Sequence, residues 1–139
     1  MNRLRVLALV FVVLFAVVTS LNYLPGLTDA QGRTFGLFAL DVFDDLLHAA
    51  SAVWAGLAAW TSVRATRIFF RVFGPLYCLD GLLGLLTGPG YLDAGILVHG
   101  VQAYPLMTKA LMNLPHIVIG GAATFAGYVL APRWAPREP

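Results

Sequence analysis

Long apolar stretches separated by polar breaks dominate the hydrophobic pattern of the chain. Four of them approach the roughly 20 residues that a helix needs to cross a bilayer, and they cover residues about 5–24, 46–63, 72–88 and 112–131. Pro25-Gly26 ends the first stretch as a helix and Pro132 ends the last. The pattern predicts an all-α membrane protein, a four-transmembrane-helix up-and-down bundle that forms one domain over residues 1–139.

Two long connections separate these stretches, residues 25–45 and 89–111. The second is rich in glycine, tyrosine and aliphatic residues, and it is interrupted by Gly95, Gly100 and Pro105. Because an unbroken helix does not pass through such a segment, we expect an interfacial or re-entrant segment before the last helix.

Basic residues gather at one set of helix ends. They precede the first stretch, lie between the second and third, and follow the fourth, as Arg3, Arg5, Arg64, Arg67, Arg71, Arg133 and Arg137. The two long connections hold only Arg33 and Lys109. They carry most of the acidic residues, Asp29, Asp41, Asp44, Asp45 and Asp93. The positive-inside rule therefore predicts that both termini lie in the cytoplasm and both long connections lie outside.

Composition agrees with a membrane protein and argues against several other classes. The chain is 59% hydrophobic and 12% charged, whereas soluble domains carry about 25% charged residues. A net charge of +2 is too small to indicate nucleic-acid binding. The single cysteine, Cys78, excludes an internal disulfide and a cysteine-built zinc site. No nucleotide-binding loop, catalytic triad or HExxH motif is present, which favours a protein that is not an enzyme.

One short motif occurs twice, as Asp45-Leu-Leu-His48 and as Asn113-Leu-Pro-His116. Each copy opens an apolar stretch that runs from outside to inside, so we expect both histidines at similar depth near the outer surface. Small residues share the helical face of each histidine, namely Ser51, Ala52, Ala55 and Ala59 for the first and Gly120, Ala123, Thr124 and Gly127 for the second. Since membrane helices approach each other along small residues, both histidines are predicted to point into the bundle.

Asp80 lies near the middle of the third stretch. An ionisable group at that depth costs several kcal/mol unless it is paired or wetted, so Asp80 is a candidate functional residue. Tyr77 shares its face, and Asn22 and Asn113 add polar groups near the outside. We predict that these residues form a polar core, and direct contact between Asp80 and a histidine is one arrangement that fits.

Three interpretations of these residues remain open. In the first they are structural, Asp45 and Asn113 act as helix N-caps, and the protein is an accessory or interaction protein without defined chemistry. In the second, His48 and His116 are the axial ligands of a b-type haem or, together with Asp44, ligands of a divalent metal. The third interpretation is a proton or small-solute path, or a quinone or lipid pocket, around Asp80.

The metal interpretation draws on the acidic start of the second stretch. Residues able to bind a metal ion lie there at positions i, i+3, i+4 and i+7 of a helix, as Asp41, Asp44, Asp45 and His48. His99 belongs to the outer connection and joins such a site only if that connection folds over the histidine pair.

This layout resembles small bacterial inner-membrane proteins of unknown function, DoxX-like four-helix proteins among them. The resemblance covers about Val6 to Ala131 and rests on Asp/Asn-x-x-His opening helices two and four, followed by glycine or alanine. It implies an inner-membrane location and no established chemistry. The partners we expect are the lipid bilayer and another membrane protein or a further copy of the chain, and we expect no nucleic acid.

Overall fold

The computed structural model describes residues 2–30, 32–36 and 42–134, so Asp41 and Arg137 lie outside the described residues. Within these ranges the regular structure is helical apart from one antiparallel bridge between Thr28 and Thr34. The helices are α1 (Arg3–Ser20), α2 (Val42–Thr61), α3 (Val63–Thr87), α4 (Gly95–His99) and α5 (Leu106–Phe125). A 3-10 turn follows α1, and a π-helical turn and a last α-helical turn continue α5, as Leu21–Tyr23, Ala126–Leu130 and Ala131–Trp134. The predicted all-α class is confirmed.

Three of the described helical segments are long and apolar enough to cross a membrane, Arg3–Tyr23, Val63–Thr87 and Leu106–Trp134. Their outward faces carry exposed valine and leucine residues, as membrane lipid requires. Helix α2 has 20 residues, but its first turns include Asp44 and Asp45, which make it less apolar than the other three. The chain therefore has the character of a membrane protein, as its hydrophobic pattern predicts.

The start of α3 differs from the prediction. The helix begins at Val63 rather than near residue 72, because Ser62 alone separates it from α2. The Ser62 side chain accepts a hydrogen bond from the backbone N–H of Ala65 at 3.0 Å and so caps the new helix. Arg64, Arg67 and Arg71 consequently lie in α3 and not in a loop, and Pro75 is an interior residue of this helix.

The start of α5 also differs from the prediction. It begins at Leu106 rather than near residue 112, and Pro115 lies inside the helix. The predicted connection 89–111 is therefore shorter than expected and contains the five-residue helix α4. Helix α2 begins at Val42, earlier than the predicted position near residue 46.

Close helix packing occurs where glycines face a neighbouring helix. Helix α1 packs mainly on α2 and helix α3 mainly on α5, and α3 also contacts α1 and α2. A Cβ atom at Gly120 would lie 2.2 Å from the backbone nitrogen of Cys78, and one at Gly84 would lie 1.8 Å from Oδ1 of Asn113. Only glycine allows this approach, so the predicted small-residue face of α5 is confirmed as a contact face.

The two ends of the described chain lie together. The side-chain amide of Asn2 donates a hydrogen bond to the carbonyl of Trp134 at 3.2 Å. We call this the terminal end of the molecule. The opposite end, where α1 and α3 finish and α2 and α5 begin, is the distal end.

An aromatic cluster fills the middle of the core. Its rings meet at centroid distances of 5.0 to 6.5 Å, mostly edge to face, and they belong to Phe11, Phe15, Phe69, Phe70 and Phe73. Most buried polar side chains of the described residues lie on the distal side of this cluster, and Thr66 lies towards the terminal end. Thr66 Oγ donates to backbone carbonyls of the α2–α3 hairpin. The described core is thus polar near its distal end and, apart from Thr66, mostly apolar elsewhere.

Candidate functional site in the distal core

Asp80 is completely buried and has three hydrogen-bond donors. The backbone N–H groups of Tyr91 and Leu92 donate to its Oδ1 at 2.7 and 2.9 Å. Its Oδ2 lies 2.6 Å from Nδ1 of His116. Charge-assisted bonds of this kind are roughly twice as strong as neutral ones, so Asp80 joins α3, α5 and the segment before α4.

The segment that reaches Asp80 folds back into the protein. Asp80 precedes the last residue of α3, Thr87, by seven residues, which is about 10 Å along a helix. Pro89 and Gly90 are buried, and a Cβ atom at Gly90 would lie 2.5 Å from the Asp80 carboxylate. The chain therefore returns about two helical turns towards the core, and entry of this segment into a membrane stays a prediction.

Tyr91 lies at the outer edge of this segment. Its hydroxyl donates to the carbonyl of Leu76 at 3.0 Å. Partial burial, and secondly the negative charge of Asp80, raise the pKa of the Tyr91 hydroxyl above its ordinary value.

Tyr77 lies between the two histidines. Its ring stacks on the imidazole of His116, with centroids 4.4 Å apart and planes inclined by 28°. Its hydroxyl lies 3.0 Å from Nε2 of His48. The two imidazoles meet edge to face with their centroids 6.2 Å apart. Both histidines therefore face the core and lie close together, as the small residues on their helical faces predict.

Asp45 lies three residues before His48 on α2, near the distal surface. It is buried, and its Oδ2 accepts hydrogen bonds from the Tyr23 hydroxyl at 2.9 Å and from the Asn22 side-chain amide at 3.4 Å. Tyr23 is 70% exposed. The carboxylate thus lies directly beneath the distal surface, held by two residues that follow α1.

Asn113 has a different role from its counterpart Asp45. Its side-chain amide donates to the carbonyls of Gly88 and Lys109 at 3.0 and 2.9 Å. Asn113 is interior to α5, and Asp45 is interior to α2. The prediction that these two residues are N-caps is therefore wrong, because both helices begin earlier than the apolar stretches do.

Two buried atoms of the first motif lack partners within the described part of the chain. They are Oδ1 of Asp45 and Nδ1 of His48. Buried polar atoms in proteins are nearly always hydrogen-bonded, so an exception marks a place where water, an ion or another ligand belongs. The second motif differs, since Nδ1 of His116 and the amide nitrogen of Asn113 are both engaged.

The structure brings together two of the three predicted ligand residues. His48 and His116 lie together, whereas Asp44 is partly exposed one residue before Asp45 on α2. In the described ranges, no group of three or more histidine, cysteine, aspartate or glutamate residues has the arrangement of a metal site. Haem ligation by the histidine pair stays a prediction, and it requires the stacked ring of Tyr77 to make room for the macrocycle. His99 is exposed on α4, and the hydrogen bonds of His48 and His116 described above go to Tyr77 and Asp80.

The backbone amides on Asp80 were not indicated by the residue pattern. The pattern marks Asp80 itself, because aspartate is rare in an apolar stretch, but amide donors are the same in every residue. The available signal is the sequence Gly88-Pro-Gly90, whose small and turn-forming residues permit close approach of backbone to the carboxylate.

Comparisons with protein-family models, with curated proteins and with solved structures find no match to this chain.

Proposed function

We propose that the protein is a multi-pass accessory or interaction protein of the inner membrane. In this proposal α1, α2, α3 and α5 cross the bilayer as a four-helix bundle, with both termini in the cytoplasm and the distal end outside. Three of these helices have the length and apolar character of spans. Helix α2 fits as the fourth because it has 20 residues and packs on both α1 and α3. The arginine distribution supports the orientation.

The observation that carries the interaction role is an apolar surface on α4, on the segment that follows it and on the start of α5. Its side chains are between 41% and 83% exposed, and they are Leu97, Val98, Val101, Tyr104, Leu106 and Met107. We call this group the distal apolar surface. Tyrosine and methionine are enriched at the centres of protein interfaces, and a contiguous exposed apolar patch is typical of a binding surface.

Hydrogen bonds near the distal end fix the position of the distal apolar surface. Asp80 fixes the segment before α4 through two backbone amides. The backbone N–H of Gln102 donates to the carbonyl of Thr87 at 2.8 Å, and Nζ of Lys109 donates to the carbonyl of Leu86 at 2.9 Å. A surface that is already ordered loses less entropy when a partner binds. A hydrogen-bond network whose groups are paired rigidifies a protein. In this proposal Asp80, Asn113 and His116 have that structural role.

The partner of such a surface is another membrane protein or a second copy of the chain. The test is photo-crosslinking in intact membranes from a photoreactive residue placed at Leu97 or Met107. A matched control is Val13 on α1, which is 63% exposed in an apolar transmembrane helix. We expect discrete protein adducts from Leu97 and Met107 and only lipid adducts from Val13.

An adduct of twice the chain's mass identifies a second copy, and any other discrete mass identifies a different protein. Lipid adducts alone at Leu97 and Met107, as at Val13, would overturn the interaction role, because the distal apolar surface would then be ordinary lipid-facing surface.

A proton path is the second candidate, and the Asp80–His116 pair is the observation that favours it. The aromatic cluster opposes a path through the whole membrane, since it separates the distal polar residues from the terminal end. We expect proton flux in liposomes to be equally low for the protein and for Asp80→Asn. A flux that Asp80→Asn abolishes would support the path and show that the cluster is not a seal.

A further inference from the structure

The two copies of the Asp/Asn-x-x-His motif differ in which atoms are occupied. In the second copy, His116 pairs with Asp80 through Nδ1, and Asn113 donates to two carbonyls. In the first copy, each side chain has one engaged atom and one buried atom without a partner among the described residues, Oδ1 of Asp45 and Nδ1 of His48. The copies therefore have different chemistry available to them.

We infer that Asp45 and His48 form a binding site for one divalent transition-metal ion of the zinc class, with Oδ1 of Asp45 and Nδ1 of His48 as its protein ligands. A carboxylate and an imidazole three residues apart lie on one face of a helix. Helical bundles use the same i, i+3 carboxylate–histidine spacing to bind metal ions. Carboxylate oxygen and imidazole nitrogen are ligands that zinc accepts.

Both side chains are buried and oriented by neighbours. Asp45 is 7% exposed and His48 is 4% exposed. Tyr23 and Asn22 donate to Oδ2 of Asp45, and the Tyr77 hydroxyl bonds to Nε2 of His48. In metal sites, hydrogen bonds to the far atom of a ligand fix its orientation and tautomer. In Asp45 and in His48 one polar atom makes these hydrogen bonds, and the second polar atom is left available to a metal ion.

Zinc is usually four-coordinate, so about two positions fall to water or to an exogenous ligand, one more than in catalytic zinc sites, which have three protein ligands. The exposed hydroxyl-bearing Tyr23 lies beside Asp45, so the site is next to the distal surface. The assignment differs from the sequence-based set of Asp44, His48 and His116, because His116 already uses Nδ1 on Asp80. It does not depend on the distal apolar surface, so crosslinking and metal binding can fail separately.

The test is metal binding by the purified full chain in detergent. The protein is stripped with a chelator and titrated with Zn²⁺, and bound metal is counted by elemental analysis after desalting. Co²⁺ is then used as a spectroscopic probe of the ligand field. We expect one ion per chain, and at least a tenfold loss of affinity in Asp45→Asn and in His48→Gln. His99→Gln is the matched control, since His99 is exposed on α4, and its affinity should be unchanged.

Two further measurements separate a lost ligand from a lost fold. Tyr23→Phe keeps both ligand atoms and removes one orienting hydrogen bond, so we expect a smaller loss of affinity than in Asp45→Asn. Zn²⁺ should raise the melting temperature of the parent chain and leave that of a folded Asp45→Asn unchanged.

The absence of stoichiometric Zn²⁺ and of a Co²⁺ spectrum in the folded parent chain would overturn the inference and leave a buried water as the partner of both atoms. Equal loss of affinity in His116→Gln and His48→Gln, with both variants folded, would also overturn it, because the ion would then lie between the two histidines.

Discussion

Replacing Gly120 with alanine tests the close contact of α3 and α5 on which the distal core depends. The added Cβ would lie 2.2 Å from the backbone nitrogen of Cys78 and 2.7 Å from its Cα. Ordinary contact begins at 3.4 Å, so the nearest approach is 1.2 Å too short. Both contacted atoms belong to the backbone of α3, which cannot rotate away as a side chain can. The two helices must therefore separate.

The cost follows from two opposing effects. Overpacking a core typically costs 1–3 kcal/mol, and separation of α3 from α5 also lengthens the Asp80–His116 contact, now 2.6 Å, one turn from Gly120. Alanine in place of glycine in a helix gains about 0.4–1 kcal/mol where no contact opposes it. Because the lengthened Asp80–His116 contact offsets this gain, we expect Gly120→Ala to lower the free energy of unfolding by about 1 to 3 kcal/mol.

Gly121 provides the matched control. It is the next residue of α5, and a Cβ atom there would have nothing within 4 Å. Gly121→Ala should therefore leave stability unchanged or raise it by up to about 1 kcal/mol. Both variants are compared with the parent chain by thermal unfolding and denaturant titration in one detergent. Equal stability of the two variants would refute the close packing of α3 on α5.

Three further substitutions test single contacts by the same unfolding measurement. Asp80→Ala leaves the partly buried backbone amides of Tyr91 and Leu92 without an acceptor and should destabilise by about 3 kcal/mol. Asp80→Asn keeps an acceptor oxygen and should cost less, so equal losses would contradict the amide contacts. Asn113→Asp is nearly isosteric but places acceptor oxygens against two carbonyls, so we expect stability to fall by about 2 to 4 kcal/mol. The loss should be smaller at acidic pH, where the protonated carboxyl donates one hydrogen bond. A loss of stability that does not depend on pH would count against this geometry. Ser62→Ala removes the N-cap of α3 and should cost about 1 kcal/mol, while Thr61→Ala, on an exposed side chain, should cost less.

The sequence predicts the elements of this fold well where composition decides them. Apolar length marks α1, α3 and α5 as spans, and the rarity of aspartate in apolar stretches marks Asp80. The first residues of the helices were less predictable, because a helix can begin several residues before its apolar stretch does. Helix α3 extends through Arg64 and Arg67, whose long side chains are compatible with a helix although they are polar.

The sequence identifies the two histidines and Asp80 of the distal core, but it does not predict their hydrogen bonds. Small residues at helical spacing place His48 and His116 on inward faces, and the structure brings the two rings together. Which residue bonds to which depends on the return of the chain at Gly88–Gly90 and on how closely α3 approaches α5. These are tertiary features, and backbone amides leave no trace in a residue pattern.

The repeated motif is better understood as one spacing used for two purposes. A carboxylate only accepts hydrogen bonds, whereas an asparagine amide also donates them. At Asn113 the amide meets carbonyls of α5 and of the end of α3, so this copy ties the helix to its neighbour. At Asp45 the carboxylate meets donors that follow α1, and one oxygen remains buried without a partner among the described residues. The two copies therefore differ because one has an amide and the other an acid. In the Asn113 copy the polar groups are used in hydrogen bonds between helices, and in the Asp45 copy ligand atoms stay available. This difference makes α2, and not α5, the helix on which to search for chemistry.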